Sequence, residues 1–301
     1  MAKLFGGRGK RLVLDVGSHA VRLCELGQTK AGYQVTAYYQ REYGIDPEMD
    51  DDQQRELRLK TIQNLLKEAK AKGRARKCIF GVPGQTVFTR TRQLPPVPEH
   101  KVTPIVRYEI QQQIPFSLDQ IALSYQVLTR TDVGGYEVLM AAIKVDVVEK
   151  QMDLLAAAKR NATTVDVCPL AAYNWMKHTG EFGQDGEAVA MIDLGASTTD
   201  IVIERDGQFR FMRSLSTGGN NITQSIADEF GMSFLDAEKL KRERGFAPTG
   251  DPQRDGKGGE VIGRVLDRLA GEISRSLAYF RSQPGGGSVN RVVICGGGAC
   301  L

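Results

Sequence analysis

The stretch AVAMIDLGASTTDIVIE, residues 188–204, begins as a buried strand and ends as one. Between its apolar halves lies D-L-G-A-S-T-T, residues 193–199, with one carboxylate, one glycine and three hydroxyls. Two short apolar runs around a polar glycine turn predict a β-hairpin. A hydrophobic hairpin has no packing use for a carboxylate and three hydroxyls at its tip, so the turn carries something beyond the fold.

A second copy stands near the start of the chain. LVLDVGSHAVRLCE, from Leu12, reads apolar strand, Asp-x-Gly, small polar residues, apolar strand, as the later stretch does. Asp15 and Asp193 take the same place. One supersecondary unit repeated far apart in sequence points to a duplicated domain, with a cleft that receives one Asp-tipped hairpin from each half. The chemistry suits a polyphosphate with Mg²⁺. Gly17 and Gly195 let backbone N–H groups approach phosphate oxygens without a Cβ in the way. Ser18, Ser197, Thr198 and Thr199 can donate hydroxyl hydrogen bonds. Asp15 and Asp193 would repel phosphate and would instead hold Mg²⁺ through its waters. A single D-x-G is an ordinary turn, and it is the pairing of two copies in equivalent contexts that favours a ligand. His19, alone on a hairpin tip, takes no catalytic role.

Bulk composition sets the frame. The chain has 301 residues, enough for two domains, with 41% hydrophobic and 25% charged residues, as in soluble globular proteins. A net charge of +4 from 40 basic and 36 acidic residues is too mild to imply nucleic acid. Five cysteines, Cys24, Cys78, Cys168, Cys295 and Cys300, form no C-x-x-C pair and suit a reduced, cytoplasmic compartment. No apolar run reaches the length of a membrane span, and Asp15 interrupts the first apolar run, which argues against a signal peptide. The glycine-rich, basic residues 1–10 read as flexible. The basic run KEAKAKGRARK (67–77) reads as an exposed helix end and loop, with contact to anionic membrane headgroups as the second reading.

Along the chain, residues 53–72 carry a helical apolar pattern, and CIFGVP is a short buried strand. Residues 88–168 read as a separate α+β unit of order β-α-β-β-α-β, its first helix stopping at Ile114-Pro115. After the second hairpin come a strand (QFRFMRSLS) and helices over 222–230 and 234–244. A loop over 245–260, a long amphipathic helix from Ile262 and a last strand, RVVIC, complete the chain. Gly218, Gly219 and Asn221 form a polar turn opening a helix whose N-terminal amides could face phosphate. Glu238, Lys241 and Arg242 lie on adjacent turns of one helix, which taken alone reads as a solvated face. Gly296, Gly297 and Gly298 follow the last strand and would let a flat ring or ribose lie against bare backbone, or form a simple turn.

These pieces resemble a known family. D-V-G-S, D-L-G-A-S-T-T, T-G-G-N-N-I-T, A-E-x-x-K-R and I-C-G-G-G-A are similar to the nucleotide motifs of the actin, heat-shock chaperone and sugar kinase superfamily. G-V-P-G-Q-T-V-F-T-R, L-P-x-V-P, Y-E-I-Q-Q-Q-I-P-F-S-L-D-Q and S-Y-Q-V-L resemble the PilM family of type IV pilus assembly and type II secretion-like systems, of which the division protein FtsA is a relative. The resemblance implies an α/β fold, actin-like (ribonuclease H-like) and two-lobed. Residues 10–87 and 169–185 would form the first lobe, 88–168 an inserted small subdomain, 186–216 and 288–301 the core of the second lobe, and 217–287 its outer part.

The resemblance further implies ATP with Mg²⁺. Asp15, Gly17 and Ser18 would be the first phosphate loop and Asp193, Gly195, Ser197 and Thr198 the second, with Gly218 and Gly219 nearby. Glu238, Lys241 and Arg242 would meet ribose and adenine, and Gly296, Gly297 and Gly298 would close over the nucleoside. It implies docking of the N-terminal cytoplasmic peptide of a PilN-like inner-membrane protein in a groove formed partly by the insert, and contacts with other inner-membrane platform proteins. Membrane contact would be indirect, with no nucleic-acid partner. Family members continue into a terminal helical region, so the resemblance leaves the end at Leu301 open to two readings, a truncated chain or an unusual member. An FtsA-like division protein and a small-molecule kinase of the same superfamily are the alternatives. A kinase needs a carboxylate base at the substrate hydroxyl, and no motif here supplies one.

Overall fold

The computed structural model describes residues 11–30, 32–46, 48–69, 77–182, 186–245 and 248–301. Residues 1–10 and 70–76, the bulk of the two basic segments discussed above, lie outside the described residues. In chain order the strands are β1 (Arg11–Val16), β2 (Ala20–Thr29), β3 (Gly32–Glu42), β4 (Lys77–Val82), β5 (Val87–Leu94), β6 (Ile121–Arg130), β7 (Tyr136–Lys144), β8 (Asn161–Val167), β9 (Ala188–Leu194), β10 (Thr199–Arg205), β11 (Gln208–Leu215) and β12 (Arg291–Cys295). The helices are α1 (Asp51–Glu68), α2 (Val102–Gln111), α3 (Val145–Ala157), α4 (Cys168–Thr179), α5 (Gly219–Phe230), α6 (Phe234–Arg244) and α7 (Pro252–Ser282).

The chain divides into two compact units. The first comprises the residues up to Val82 together with Val148–Val167. Its mixed sheet runs β3-β2-β1-β4-β8, with β1 antiparallel to β2 and parallel to β4. Along β1 only Leu12 and Leu14 are buried, alternating with half-buried neighbours as a strand with one core face should. Leu14, Leu23, Phe80, Ile62, Leu65 and Leu155 are almost wholly buried, each contributing about 1.5–3 kcal/mol relative to exposure.

The second unit comprises Pro83–Val147 and Cys168–Leu301. Its larger sheet runs β11-β10-β9-β12. β9 and β10 have neighbours on both sides and are covered on both faces, so Ala188–Ile192 and Thr199–Glu204 are buried without a break. This is why the two halves of the opening stretch are continuously apolar rather than alternating. A smaller sheet, β5-β7-β6, packs Val138 and Met140 against Val102, Val106 and Ile110 of α2.

Three sequence expectations change. The sequence pattern groups the strand at 161–167 with the small α+β unit, but its hydrogen bonds run to β4 in the five-stranded sheet, from Lys77↔Asn161 to Val82↔Val167. The small sheet therefore has three strands. The segment 245–260 is not all loop: α7 starts at Pro252, where Asp251 caps it by accepting from the Gln253 N–H at 2.9 Å, and breaks at Gly256 with φ 58°. The sequence reading also passed over β3, an edge strand that leaves Tyr33, Val35 and Tyr38 about half exposed.

Candidate functional site

The two Asp-x-Gly hairpins share one construction. In the first unit the Gly17 amide donates to the Ala20 carbonyl at 3.0 Å, and in the second the Gly195 amide donates to the Thr198 carbonyl at 2.9 Å. The aspartates also have equivalent cross-strand positions: Asp15 pairs in register with Arg22, and Asp193 with Asp200. The electrostatics differ. Arg22 donates to Asp15 Oδ2 at 2.9 Å, so that carboxylate already has a cation beside it. Asp200 is buried, and burial lifts its carboxyl above the ordinary range; the Ser214 hydroxyl, which donates to it, acts the other way, and the charge of Asp193 adds to the lift. Asp193 also faces Cys295 across β9 and β12, where burial and the carboxylate together push the thiol up to about 11.

In the second unit three backbone elements converge on the hairpin tip. The Gly219 amide donates to the Gly195 carbonyl at 3.0 Å and the Asn220 amide to the Ala196 carbonyl at 2.7 Å. Asn220 Nδ2 donates to Ser197 Oγ at 3.3 Å, and Thr199 Oγ1 donates to the Thr217 carbonyl at 2.7 Å. A Cβ on Gly218 would lie 2.7 Å from both tip carbonyls, so the chain can pass here only as glycine. Gly296 closes the third side. It sits at φ +88°, and a Cβ on it would collide with Asp193 Oδ1 and the Leu194 carbonyl. Gly297 has open space around it, whereas Gly298 packs on Leu194.

The helix-opening residues do something other than expected. The amides of Gly218, Gly219, Asn220 and Asn221 all have acceptors within the protein, respectively Asn221 Oδ1, the Gly195 and Ala196 carbonyls, and the Gly218 carbonyl. The start of α5 thus clamps the hairpin. It is the tip itself, at Ala196, Ser197 and Thr198, whose amides meet no backbone acceptor among the described residues. Glu238 and Lys241 are similarly committed. Lys241 Nζ donates to Glu238 Oε2 at 2.6 Å, to Thr223 Oγ1 at 2.8 Å and to the Gly219 carbonyl at 3.2 Å, which uses its three N–H groups. Arg242 is exposed on α6.

The second unit therefore brings together Asp193, Gly195, Ser197, Thr198, Gly218, Gly219, Glu238, Lys241, Gly296 and Gly298. Asp15, Gly17 and Ser18 belong to the hairpin of the first unit. Sequence reasoning missed Arg22, Asp200 and Thr223. The signal for the first two was their place in the repeat, seven residues after each Asp-x-Gly aspartate.

The family model for the type IV pilus assembly protein PilM matches residues 13–301. The chain belongs to the PilM family. Among solved structures it is similar to one described as "PilM-PilN type IV pilus biogenesis complex", with 25% identity and a TM-score of 0.80 over 97% of this chain and 83% of the other. It is also similar to the ethanolamine utilization protein EutJ from Carboxydothermus hydrogenoformans, with 15% identity and a TM-score of 0.54 over 98% and 78% of the two chains. That likeness speaks to the fold alone. The PilM and EutJ likenesses, with that to MreB5 of Spiroplasma citri (TM-score 0.52, 14% identity), make the fold an actin-like α/β one. Among curated relatives, the cell division protein FtsA of Buchnera aphidicola subsp. Baizongia pistaciae is 36% identical over 59 residues, 20% of this chain. The match spans only 14% of that relative's length. Among the described residues no helix is long and apolar enough to cross a membrane.

Proposed function

We propose that this chain is a nucleotide-binding scaffold of type IV pilus assembly, working at the cytoplasmic face of the inner membrane. On this reading it docks the N-terminal cytoplasmic peptide of a PilN-like membrane protein. The observation that carries the partner is the likeness, over 97% of the chain, to a structure described as a PilM-PilN complex. The FtsA-like reading is weaker, since the FtsA matches are partial and the PilM model covers both units.

ATP with Mg²⁺ is the proposed ligand. The fit rests on this chain's own backbone: a tip whose amides meet no backbone acceptor among the described residues, and glycines that keep Cβ atoms out of the junction. The amides and hydroxyls of Ser197 and Thr198 would take phosphate oxygens. Asp193 and Asp15, at equivalent places in the two hairpins, would hold Mg²⁺ through its waters. Lys241 and Glu238 would act by fixing the start of α5 against the tip, and Arg242 and the turn at 296–298 would meet the nucleoside. Binding asks only for these groups; hydrolysis would also need a group that aligns water.

The test is a calorimetric titration of the chain with the N-terminal peptide of the PilN-like protein of the same genome, and separately with Mg-ATP. Saturable peptide binding is expected. Asp193→Ala is expected to weaken Mg-ATP binding by about tenfold or more, about 1.4 kcal/mol. Unchanged Mg-ATP affinity in that variant would remove the second hairpin from the site, and a folded chain that ignores the peptide would return the question to the division reading.

A further inference from the structure

Cys295, Asp193, Asp200 and Ser214 stand directly opposite one another across β12, β9, β10 and β11. Residues directly opposite share a face, so one polar row crosses the larger sheet of the second unit, with Asp193 inside it. A turn that the nucleotide reading does not use rests on this row. Gly84–Thr86 is a single 3₁₀ turn that leads into β5. A Cβ on Gly84 would lie 2.5 Å from Ser214 Oγ, 2.7 Å from Pro169 Cγ and 2.9 Å from Asp200 Oδ1. Gly84 has no left-handed φ, so glycine serves here to let the backbone of the turn lie against the row.

The turn is braced from within. Thr86 donates to the Pro83 carbonyl through its amide at 3.1 Å and its hydroxyl at 2.7 Å, and the Val87 amide donates to the Gly84 carbonyl. Gln85, at its centre, is exposed, and its carboxamide has no hydrogen-bond partner among the described residues. Its neighbours in the row are committed: the Ser214 hydroxyl donates to Asp200, and Asp200 is buried. A glutamine on a surface turn is ordinarily just solvated. This one is carried by a braced turn that rests on the cross-strand neighbour of Asp193. Aligning an attacking water takes an acceptor for its hydrogen and a donor toward a phosphate oxygen, and a carboxamide carries both.

We propose that Gln85 is a catalytic residue of ATP hydrolysis, orienting the water that attacks a γ-phosphate held at the hairpin tip 196–198. The proposal rests on the nucleotide reading and adds the group that binding alone does not ask for. In the step, the water oxygen bonds to the γ-phosphorus as the bond from that phosphorus to the β,γ-bridging oxygen breaks, and the electron pair of that bond stays on ADP. One water proton passes to a phosphate oxygen, so ATP and water become ADP and dihydrogen phosphate. The Gln85 carbonyl accepts from the water and its N–H donates to the phosphoryl group, and the residue is neither acid nor base.

The test reads binding as well as turnover. Mg-ADP with aluminium fluoride mimics the transferring phosphoryl group with its water in line, and a site that orients this water binds the mimic more tightly than Mg-ADP alone. The 301-residue chain and Gln85→Ala would be titrated calorimetrically with Mg-ADP, with Mg-ADP and aluminium fluoride, and with the imido analogue of ATP. The wild type is expected to gain about tenfold or more in affinity from aluminium fluoride, and Gln85→Ala to lose that gain while its affinity for Mg-ADP and for the imido analogue stays within about twofold. Phosphate release in a single turnover should fall by about tenfold or more in the variant. Gln85 is exposed, and a thermal melt checks that the variant is folded. A wild type that binds the imido analogue but gains nothing from aluminium fluoride overturns the proposal and leaves the nucleotide reading standing, as does a variant that keeps the gain. Equal losses for every nucleotide in a folded variant would make Gln85 a binding residue and remove the catalytic role. A folded wild type that binds none of these nucleotides would end the nucleotide reading, and this proposal with it.

Discussion

At the scale of single residues, the two hairpins show how one turn geometry can be given two electrostatic characters. Arg22 and Asp200 occupy the same place seven residues after Asp15 and Asp193, and they reverse the charge that each aspartate faces. The buried Asp200 has a consequence for stability. Its carboxyl is raised above the ordinary range, first by burial, so the folded chain holds this proton more tightly than the unfolded chain. The stability linked to it is full below the unfolded value, near pH 4 (about 3.9), and is lost as pH rises through the folded value. Asp200→Asn keeps an acceptor for Ser214 and is neutral throughout. Urea melts between pH 4 and pH 8 should show the wild type losing stability relative to the variant as pH rises, whereas parallel curves would mean that Asp200 ionises without cost. A second residue-scale contrast concerns neighbouring glycines. Gly296→Ala forces a Cβ into Asp193 at a positive φ, and should cost about 2 kcal/mol or more. Gly297→Ala meets open space and should stay within about 0.5 kcal/mol. Equal melting temperatures for the two variants would show that the turn at 296–298 yields rather than constrains.

At the scale of elements, α6 is tied to α5 by a largely buried pair. Lys241 and Glu238 are 12% and 16% exposed in their side chains, and Thr223 Oγ1 lies 2.5 Å from Glu238 Oε2. Lys241→Met removes the cation beside a largely buried carboxylate and should cost about 3 kcal/mol, while Glu238→Leu/Lys241→Met should recover most of that loss, because both charges then leave the buried site together. If Lys241 acts only as a brace, nucleotide affinity should follow stability and recover in the double variant. Recovered stability with lost affinity would instead give the ammonium a direct part in binding. The elements themselves were largely legible. Period-two and continuous apolar runs located β1, β2, β9 and β10, and the bounds of α6, β6 and β12 follow from their patterns. What the sequence hid is long-range. Nothing in TTVDV says that β8 joins β4 rather than β5-β7-β6, because register is set by the partner strand. The glycines around 256–259 masked the helix start at Asp251-Pro252, although Asp followed by Pro is itself a start signal. Of the candidate site, the glycines and Asp193 were readable as a motif. That the first amides of α5 already hold the hairpin carbonyls was not, since it depends on how closely two backbones approach.

At the scale of the whole molecule, the family match from residue 13 to 301 runs through both units, so membership belongs to the chain and not to one half. This allows a test that needs no knowledge of any single contact. A ligand that binds only the folded chain stabilises it by about 2.7 kcal/mol at one hundred times its Kd, so Mg-ATP in that excess should raise Tm by several degrees, and Asp193→Ala should remove most of the rise. If the proposed peptide and nucleotide sites are coupled, linkage is reciprocal: whatever factor Mg-ATP applies to peptide affinity, the peptide must apply to Mg-ATP affinity. The two factors come from four calorimetric titrations on the same chain, each ligand measured with and without a saturating amount of the other. Equal factors different from one would make nucleotide a regulator of partner docking. Factors of one in both directions would make it a structural ligand that stabilises the fold while leaving docking alone. Unequal factors would break the cycle and show that the species titrated is not a single folded chain binding one of each ligand.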